Sequence, residues 1–266
     1  MNHTPPAGYG PVPAAAAAAA IRRWWDDNAA SYAAEHGDFL GPAGFRWCPE
    51  GLREADAQLL GPVRGRRVLE VGAGAAQCSR WLSTAGAHVV ATDVSAGMLA
   101  QARRLSRETG FEVPLLLADA RELPFTAEAF DVVFTAYGAI PFVPDPWRIH
   151  REVARVLRPD GRWVFATSHP IRWAFLDDPG PAGLRAVRSY FDRDPYFETA
   201  ADGSLETVEY HRTLGDHVAD VVGAGLRIEQ VVEPPWPDED LQTWGGWSPE
   251  RGALLPGTVI LVCRRD

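Results

Sequence analysis

The chain of 266 residues contains no lysine; all 26 of its basic side chains are arginine. That excludes Schiff-base chemistry, pyridoxal-type cofactors and the lysine of a phosphate-binding P-loop. Cysteine is scarce. Cys48, Cys78 and Cys263 lie far apart and form no C-x-x-C pair, so no zinc site is expected. Reduced thiols of a cytoplasmic protein are the simple reading. No run is apolar for long enough to span a membrane. The alanine tract 14–20 has no cationic segment before it and lies beside prolines, which makes it a poor signal peptide. Positive charge is also short: the net charge is −9, which argues against a broad basic field for nucleic acid. The expectation is a protein with neither membrane nor nucleic-acid partners.

What the chain does have is an alternation of apolar runs and helical periods. Strands are expected at 66–71, 87–92, 113–118, 131–136 and 162–167, with helices at 75–85, 96–109 and 145–157. Apolar strands alternating with helices predict parallel βαβ units with right-handed crossovers. Residues 169–205, rich in proline and aromatics, break the pattern and read as an insertion covering a site. It resumes with a strand near 206–212, a helix at 214–224, a strand at 226–233 and a final strand at 257–263. The last two strands are expected as an antiparallel edge pair joined by the Pro/Trp-rich loop 234–255. The expected organisation is a flexible tail over 1–20, a helical lid over 21–62 and a core over 63–266. The alanine tract could equally extend the helix through Ile21, Trp25 and Tyr32.

Chemistry concentrates at Val68-Leu69-Glu70-Val71-Gly72-Ala73-Gly74. A strand ends in a glycine turn that brings backbone close to a ligand, and the helix beyond offers free N–H groups. A dinucleotide fingerprint would put a third glycine at 77, where this chain has Gln77; Ala76 takes the tight-packing position. Glu70 would repel a pyrophosphate and suit a cationic ligand, such as a sulfonium. Asp93 ends the second strand about 20 residues past the turn, where an acid receives ribose hydroxyls. Asp119 ends the third strand, either to accept from an exocyclic amine or to cap a helix. Thr135 and Tyr137 end the fourth.

These segments, with Thr92-Asp93-Val94-Ser95 and Met98, Asp119-Ala120 before Leu123-Pro124-Phe125, Phe130-Asp131-Val132-Val133, and Glu152-Val153 through Arg158-Pro159-Asp160-Gly161, resemble the class I S-adenosylmethionine-dependent methyltransferases in order over 66–168. The resemblance implies a Rossmann-like, seven-stranded, mostly parallel sheet with helices on both faces and an antiparallel last strand. It implies S-adenosyl-L-methionine as cofactor and S-adenosyl-L-homocysteine as product. The methionine part would lie by Gly72 and Gly74, ribose on Asp93, and adenine by Val94, Met98, Asp119 and Ala120. Tyr32, on a lid helix, would reach the methionine carboxylate; Gln77 either shares that contact or faces solvent. Thr135 joins the cofactor set at the fourth strand end.

On the acceptor side, the methyl group is already activated, so a base is needed only where the acceptor must lose a proton. His169, after the fifth strand, is either that base or a hydrogen-bonded structural histidine. His211 and Tyr137 are further candidates. The chain has ten tryptophans. Many fall outside the core segments, and they either favour a flat, apolar acceptor or cement lids to the sheet. Thr135 and Tyr137 offer no carboxylate at the strand end where a metal-dependent catechol enzyme needs one, so no metal is expected. The reading is methyl transfer to O, N or C of a small apolar or aromatic metabolite, as in natural-product biosynthesis, by a monomer or homodimer. The alternative is a cofactor-binding protein of this fold that performs a non-methylating reaction, such as a cyclisation, or serves as a binding partner.

Overall fold

The computed structural model describes residues 7–237 and 243–266. The expected tail residues 1–6, and 238–242 of the Pro/Trp-rich loop, lie outside the described residues. The core is a seven-stranded sheet of order β4-β3-β2-β5-β6-β10-β9. Its members are β2 (Arg67–Val71), β3 (His88–Asp93), β4 (Leu115–Leu117), β5 (Phe130–Ala136), β6 (Leu157–Ser168), β9 (Leu226–Val232) and β10 (Thr258–Arg265). Strands β2 to β6 pair in parallel, and β10 runs antiparallel to both β6 and β9. The chain is a Rossmann-like α/β protein, as its sequence pattern predicts.

The central strands read as continuous apolar runs because both faces are covered. In β5, Val133 joins the core beneath the helices α5 (Pro146–Val156) and α6 (Leu214–Gly223), while Val132 and Phe134 point to the opposite core. That opposite core holds Phe45, Trp47, Leu59 and Leu60 with Cys78 and Leu82 of α3 (Gln77–Thr84). Helix ends obey local chemistry. Ser95 caps α4 (Ala96–Thr109) by accepting from Met98 N–H at 3.0 Å, and Gly110, at φ +74°, ends it. Thr213 and Asp216 form a reciprocal capping box on α6.

Three boundaries differ from expectation. First, the supposed tail is built in: β1 (Ala7–Tyr9) is a strand, and α1 (Ala14–Leu40) starts at the alanine tract. Ala17 and Ile21 pack against Val208, which holds this end of α1 in place. Second, the strand expected near 206–212 is β8 (Leu205–Glu209), and it does not join the main sheet. It pairs with β7 (Tyr196–Thr199), and β7 with β1, in a separate three-stranded sheet. Third, residues 45–60, expected in the lid, belong to the core. Trp47 is fully buried, and its indole N–H donates to Glu54 Oε2 at 2.8 Å beside α2 (Glu54–Ala57). The short helix α7 (Pro249–Gly252) packs near the cap segment at 181–184.

Candidate active site

A cavity opens at the carboxyl ends of β2 to β5 and is roofed by α1. Its floor is backbone. Gly72 and Gly74 take φ of +64° and +54°, and a Cβ on Gly72 would stand 2.9 Å from the amide nitrogen of Ala139. A Cβ on Gly138 would lie 2.3 Å from the carbonyl oxygen of Gly72. The two loops therefore touch backbone to backbone, which only glycine permits. Tyr137 and Ala139 also carry positive φ, at 66° and 56°, as does Ala76 at 56° in the place of the third family glycine. Non-glycine residues in this region store strain, and such strain gathers where a ligand loop must hold its shape.

Asp93 stands at the lip of this cradle. Its Oδ2 accepts from Gly74 N–H at 2.7 Å and its Oδ1 from Ser95 N–H at 2.8 Å. Each oxygen keeps a further lone pair, so the carboxylate can still receive hydroxyls. Burial pushes its pKa up against the pull of those amides. Val94, Met98 and Ala120 also line the cavity. Met98 is at once core and wall: it is 3% exposed, and its methyl sits 3.0 Å from where a Gly74 Cβ would be.

Two expected cofactor contacts stand behind the wall. Glu70 is buried below the turn, and its Oε2 accepts from the N–H and hydroxyl of Ser79 at 3.0 and 2.5 Å. It supports the start of α3 and does not line the cavity, because strand alternation turns its side chain to the α3 face. Burial, against the Ser79 hydrogen bonds, pushes its pKa up to about 7. Thr135 is likewise fully buried off the cavity, and its hydroxyl has no hydrogen-bond partner.

Asp119 lines the cavity but is already engaged. It accepts from the Arg121 backbone N–H at 2.9 Å and from the Arg121 guanidinium at 2.8 and 3.1 Å. Burial raises its pKa, but the Arg121 bonds outweigh that and hold it below the usual range. Arg121 reaches on to Asp145 at 3.2 Å. Arg121 also faces the cavity and was not foreseen. The Asp-x-Arg spacing was its only sequence signal.

The roof comes from one stripe of α1, where Ala18, Ile21, Arg22, Trp25 and Tyr32 face the cavity. Trp25 meets Tyr32 and Phe142 edge-on, with ring centroids 5.4 and 5.6 Å away. Gln77 lines the same space. The helix is pinned by Asp26, whose Oδ1 accepts from the Ser95 hydroxyl at 2.7 Å and from Gly97 N–H at 2.9 Å. Those donors belong to the start of α4, and a carboxylate there is favoured by the helix dipole. Nothing in the sequence pattern singled out Asp26 or Phe142.

The three expected acceptor-side residues fare differently. Tyr137 lines the cavity. His169 does not: its Nδ1 accepts from Ile171 N–H at 3.1 Å, so Nε2 carries the proton and donates to Glu233 at 2.8 Å. With both nitrogens engaged it serves as the cap of a short 3-10 turn, not as a base. His211 is also remote, its Nε2 donating to the Tyr190 carbonyl at 2.7 Å within the cap. Both rings are buried among protein groups, and burial lowers both pKa values. Among the described residues, no three His, Cys, Asp or Glu side chains converge as a metal-binding group.

Comparison with known proteins agrees with this architecture. A family model described as a methyltransferase domain matches residues 69–165. Over 215 residues the chain is 32% identical to a demethylmenaquinone methyltransferase of Clavibacter sepedonicus, covering 79% of this chain and 77% of that one. A solved S-adenosylmethionine-dependent methyltransferase from Mesorhizobium loti has a TM-score of 0.62 at 28% identity over 79% of this chain and 96% of its own. The fold is shared with a 1,6-didemethyltoxoflavin N1-methyltransferase from Burkholderia thailandensis, solved with bound 1,6-didemethyltoxoflavin and S-adenosylhomocysteine. There the TM-score is 0.64 at 15% identity, covering 100% of this chain and 97% of that one.

The chain belongs to the class I S-adenosylmethionine-dependent methyltransferases. It is an enzyme that uses S-adenosylmethionine as methyl donor. The residues present fit that cofactor: the cradle at Gly72, Gly74 and Gly138 has no room for a Cβ, and Asp93 keeps unused lone pairs beside it. No helix among the described residues is long and apolar enough to cross a membrane.

Proposed function

We propose that this enzyme methylates a small, flat, apolar hydroxyarene, a naphthol-like ring above all. The carrying observation is the aromatic wall of Trp25, Tyr32 and Phe142, which faces the glycine cradle across one cavity. Stacked or edge-on rings suit a planar acceptor, and their π faces also suit a sulfonium cation. The Clavibacter relative is named for a quinone acceptor, which becomes a hydroxyarene on reduction, and that name supports the same ring class.

In this reading Gly72, Gly74 and Gln77 hold the methionine part, Asp93 the ribose, and Val94, Met98 and Ala120 the adenine. Asp119 receives the adenine amine while Arg121 holds its carboxylate in place. Tyr32 closes over the methionine carboxylate from α1. Glu70 and Thr135 act from behind, shaping the turn and the strand end. S-adenosylmethionine supplies an activated methyl group, and the chain aligns an oxygen, nitrogen or ring carbon behind it and excludes water. The buried, unpaired cysteines suit a cytoplasmic enzyme.

The test is a turnover assay with S-adenosylmethionine and a panel of naphthols, naphthalenediols and apolar phenols, read by mass spectrometry. One added methyl group on a fused-ring member is the expected result. Consumption of an acceptor without methyl gain would instead point to a non-methylating reaction on this fold.

A further inference from the structure

Glu50 lies on the loop before α2, and its carboxylate is buried inside the protein at 4% exposure. No arginine or histidine pairs with it among the described residues. Its Oε2 accepts from the hydroxyl of Thr258, the first residue of β10, at 2.7 Å. Its Oε1 is buried with no hydrogen-bond partner. Thr258 Oγ1 in turn stands 3.1 Å from the hydroxyl of Tyr137. Tyr137 lines the cavity at the end of β5, held there in a strained, positive-φ backbone. Three residues from sequence positions 50, 137 and 258 thus form one chain of hydroxyls from a buried acid to the cavity wall.

The direction of that chain follows from donor counting. While Glu50 is ionised it can only accept, so the Thr258 proton points at Glu50. Thr258 then has only lone pairs left for Tyr137, so the phenol donates to Thr258 Oγ1 at 3.1 Å, with the Gly257 carbonyl a longer second acceptor at 3.4 Å. The phenol oxygen, with Ser168 also beside it, keeps a lone pair to receive a proton.

We propose that Glu50 is the proton sink of the methyl transfer, reached through Thr258 and Tyr137; this rests on the hydroxyarene reading above. The acceptor hydroxyl gives its proton to the Tyr137 oxygen. Tyr137 passes its own proton to Thr258 Oγ1, and Thr258 passes its own to Glu50 Oε2. The acceptor oxygen takes the methyl group as the C–S bond breaks and its electron pair stays on sulfur. One cation and one carboxylate become two neutral groups, so no charge is left buried. When product leaves, the proton returns by the same path.

The surroundings favour this use. Burial pushes Glu50 above the ordinary carboxyl range, and only neutral donors oppose it. Cys48 also faces Glu50, and burial keeps that thiol protonated. Burial and the nearby Glu50 hold the Tyr137 phenol well above its usual value, so it relays a proton and is not itself ionised. Ser168 and Arg172 also act on Tyr137. Arg172 is already matched by Asp177 at 3.2 Å and Glu209 at 3.6 Å. The pair His169 and Glu233 is tied to the same spot, since Gly257 O accepts from His169 N–H at 2.8 Å. Within this neighbourhood Glu50 is the carboxylate without a cation.

The test uses the full chain with S-adenosylhomocysteine bound. Infrared difference spectra against pH compare the wild type with Glu50→Gln and Tyr137→Phe. A protonated-carboxyl band is expected with a midpoint above that of ordinary glutamate. Glu70 and other buried carboxyls add bands of their own, so the Glu50 band is the component lost from the wild type in Glu50→Gln, and that component should shift in Tyr137→Phe, which leaves the Thr258 to Glu50 bond intact. A band missing from the wild type, or a midpoint unmoved in Tyr137→Phe, overturns the relay. In the turnover assay with 1,4-naphthalenediol as probe, Glu50→Gln should cut kcat about 100-fold and remove the acidic limb of the pH profile, leaving the KM for S-adenosylmethionine unchanged. An unchanged kcat and limb also overturn it. Calorimetry with S-adenosylhomocysteine checks that each variant is folded. If a carboxyl band behaves as described while no hydroxyarene is methylated, the relay stands and the acceptor class falls.

Discussion

In the proposed reading, the donor half and the acceptor half of the cavity are made in opposite ways. The donor half is backbone: turns after β2 and β5 in mutual contact, with Asp93 already bonded to two amides. Its shape depends on dihedral angles, and little in it can move without strain. The acceptor half is side chain: aromatic rings from α1 and from the segment after β5, leaning on each other edge-on. Such walls are redrawn by substitution without disturbing the cradle. A shared cofactor with varied acceptors is what this division of labour permits.

Substitutions can break or sharpen that contrast. Gly72→Val should have the largest effect, because a branched side chain at φ +64° also meets the Ala139 amide. Calorimetry should then detect no S-adenosylhomocysteine binding. Asp93→Ala should follow, losing bonds to ribose worth about 1.5–3 kcal/mol each and weakening the cofactor at least tenfold. Unchanged affinity would refute its placement. Glu70 makes a pH-dependent contribution of at most on the order of 3 kcal/mol. Its folded pKa is raised from 4.5 to about 7, so the stabilisation is full below 4.5 and lost as pH rises through 7. The melting temperature of the wild type should therefore fall more between pH 5 and 8 than that of Glu70→Gln. Trp25→Ala, on the acceptor half, should raise the acceptor KM about tenfold and leave cofactor affinity within twofold. A cofactor loss as large as the acceptor loss would blur the division. His169→Ala should matter least for turnover, keeping kcat within threefold, with a stability loss of about 1–2 kcal/mol seen in thermal melts.

The legibility of the sequence follows the same divide. The glycine turn and Asp93 could be placed at the cavity from local pattern, since Gly72 and Gly74 form one turn and Asp93 ends the next strand, whereas Glu70 and Thr135, expected as contacts, stand behind the wall. Helix α4 lies at 96–109 as its period and Ser95 cap predict. The acceptor half depends on pairings no short pattern encodes. His169 looked suitable from its place after β6, but its ring is consumed by Ile171 and Glu233. β8 carries an ordinary strand pattern, yet it pairs with β7 in the small sheet beyond the core. Glu50, Asp26 and Arg121 drew no attention because each is defined by a partner elsewhere in space. Trp47 read as part of a lid because tryptophan is equally at home in walls and cores, and here it is core.

The location of α1 has a consequence for how the molecule comes into being. Its first residues leave the ribosome long before anything they attach to. Asp26 waits for Ser95 and Gly97, Arg23 for the carbonyl of Leu205, and Ala7 for Glu198. At ~5–20 residues per second, that last interval is roughly 10–40 s. Ser95 and Gly97 are made before the turn after β5, so the middle of α1 has its anchor before the cradle is complete, while its leading end still waits for β7 and β8. The roof is thus fastened at its middle first and at its leading end last.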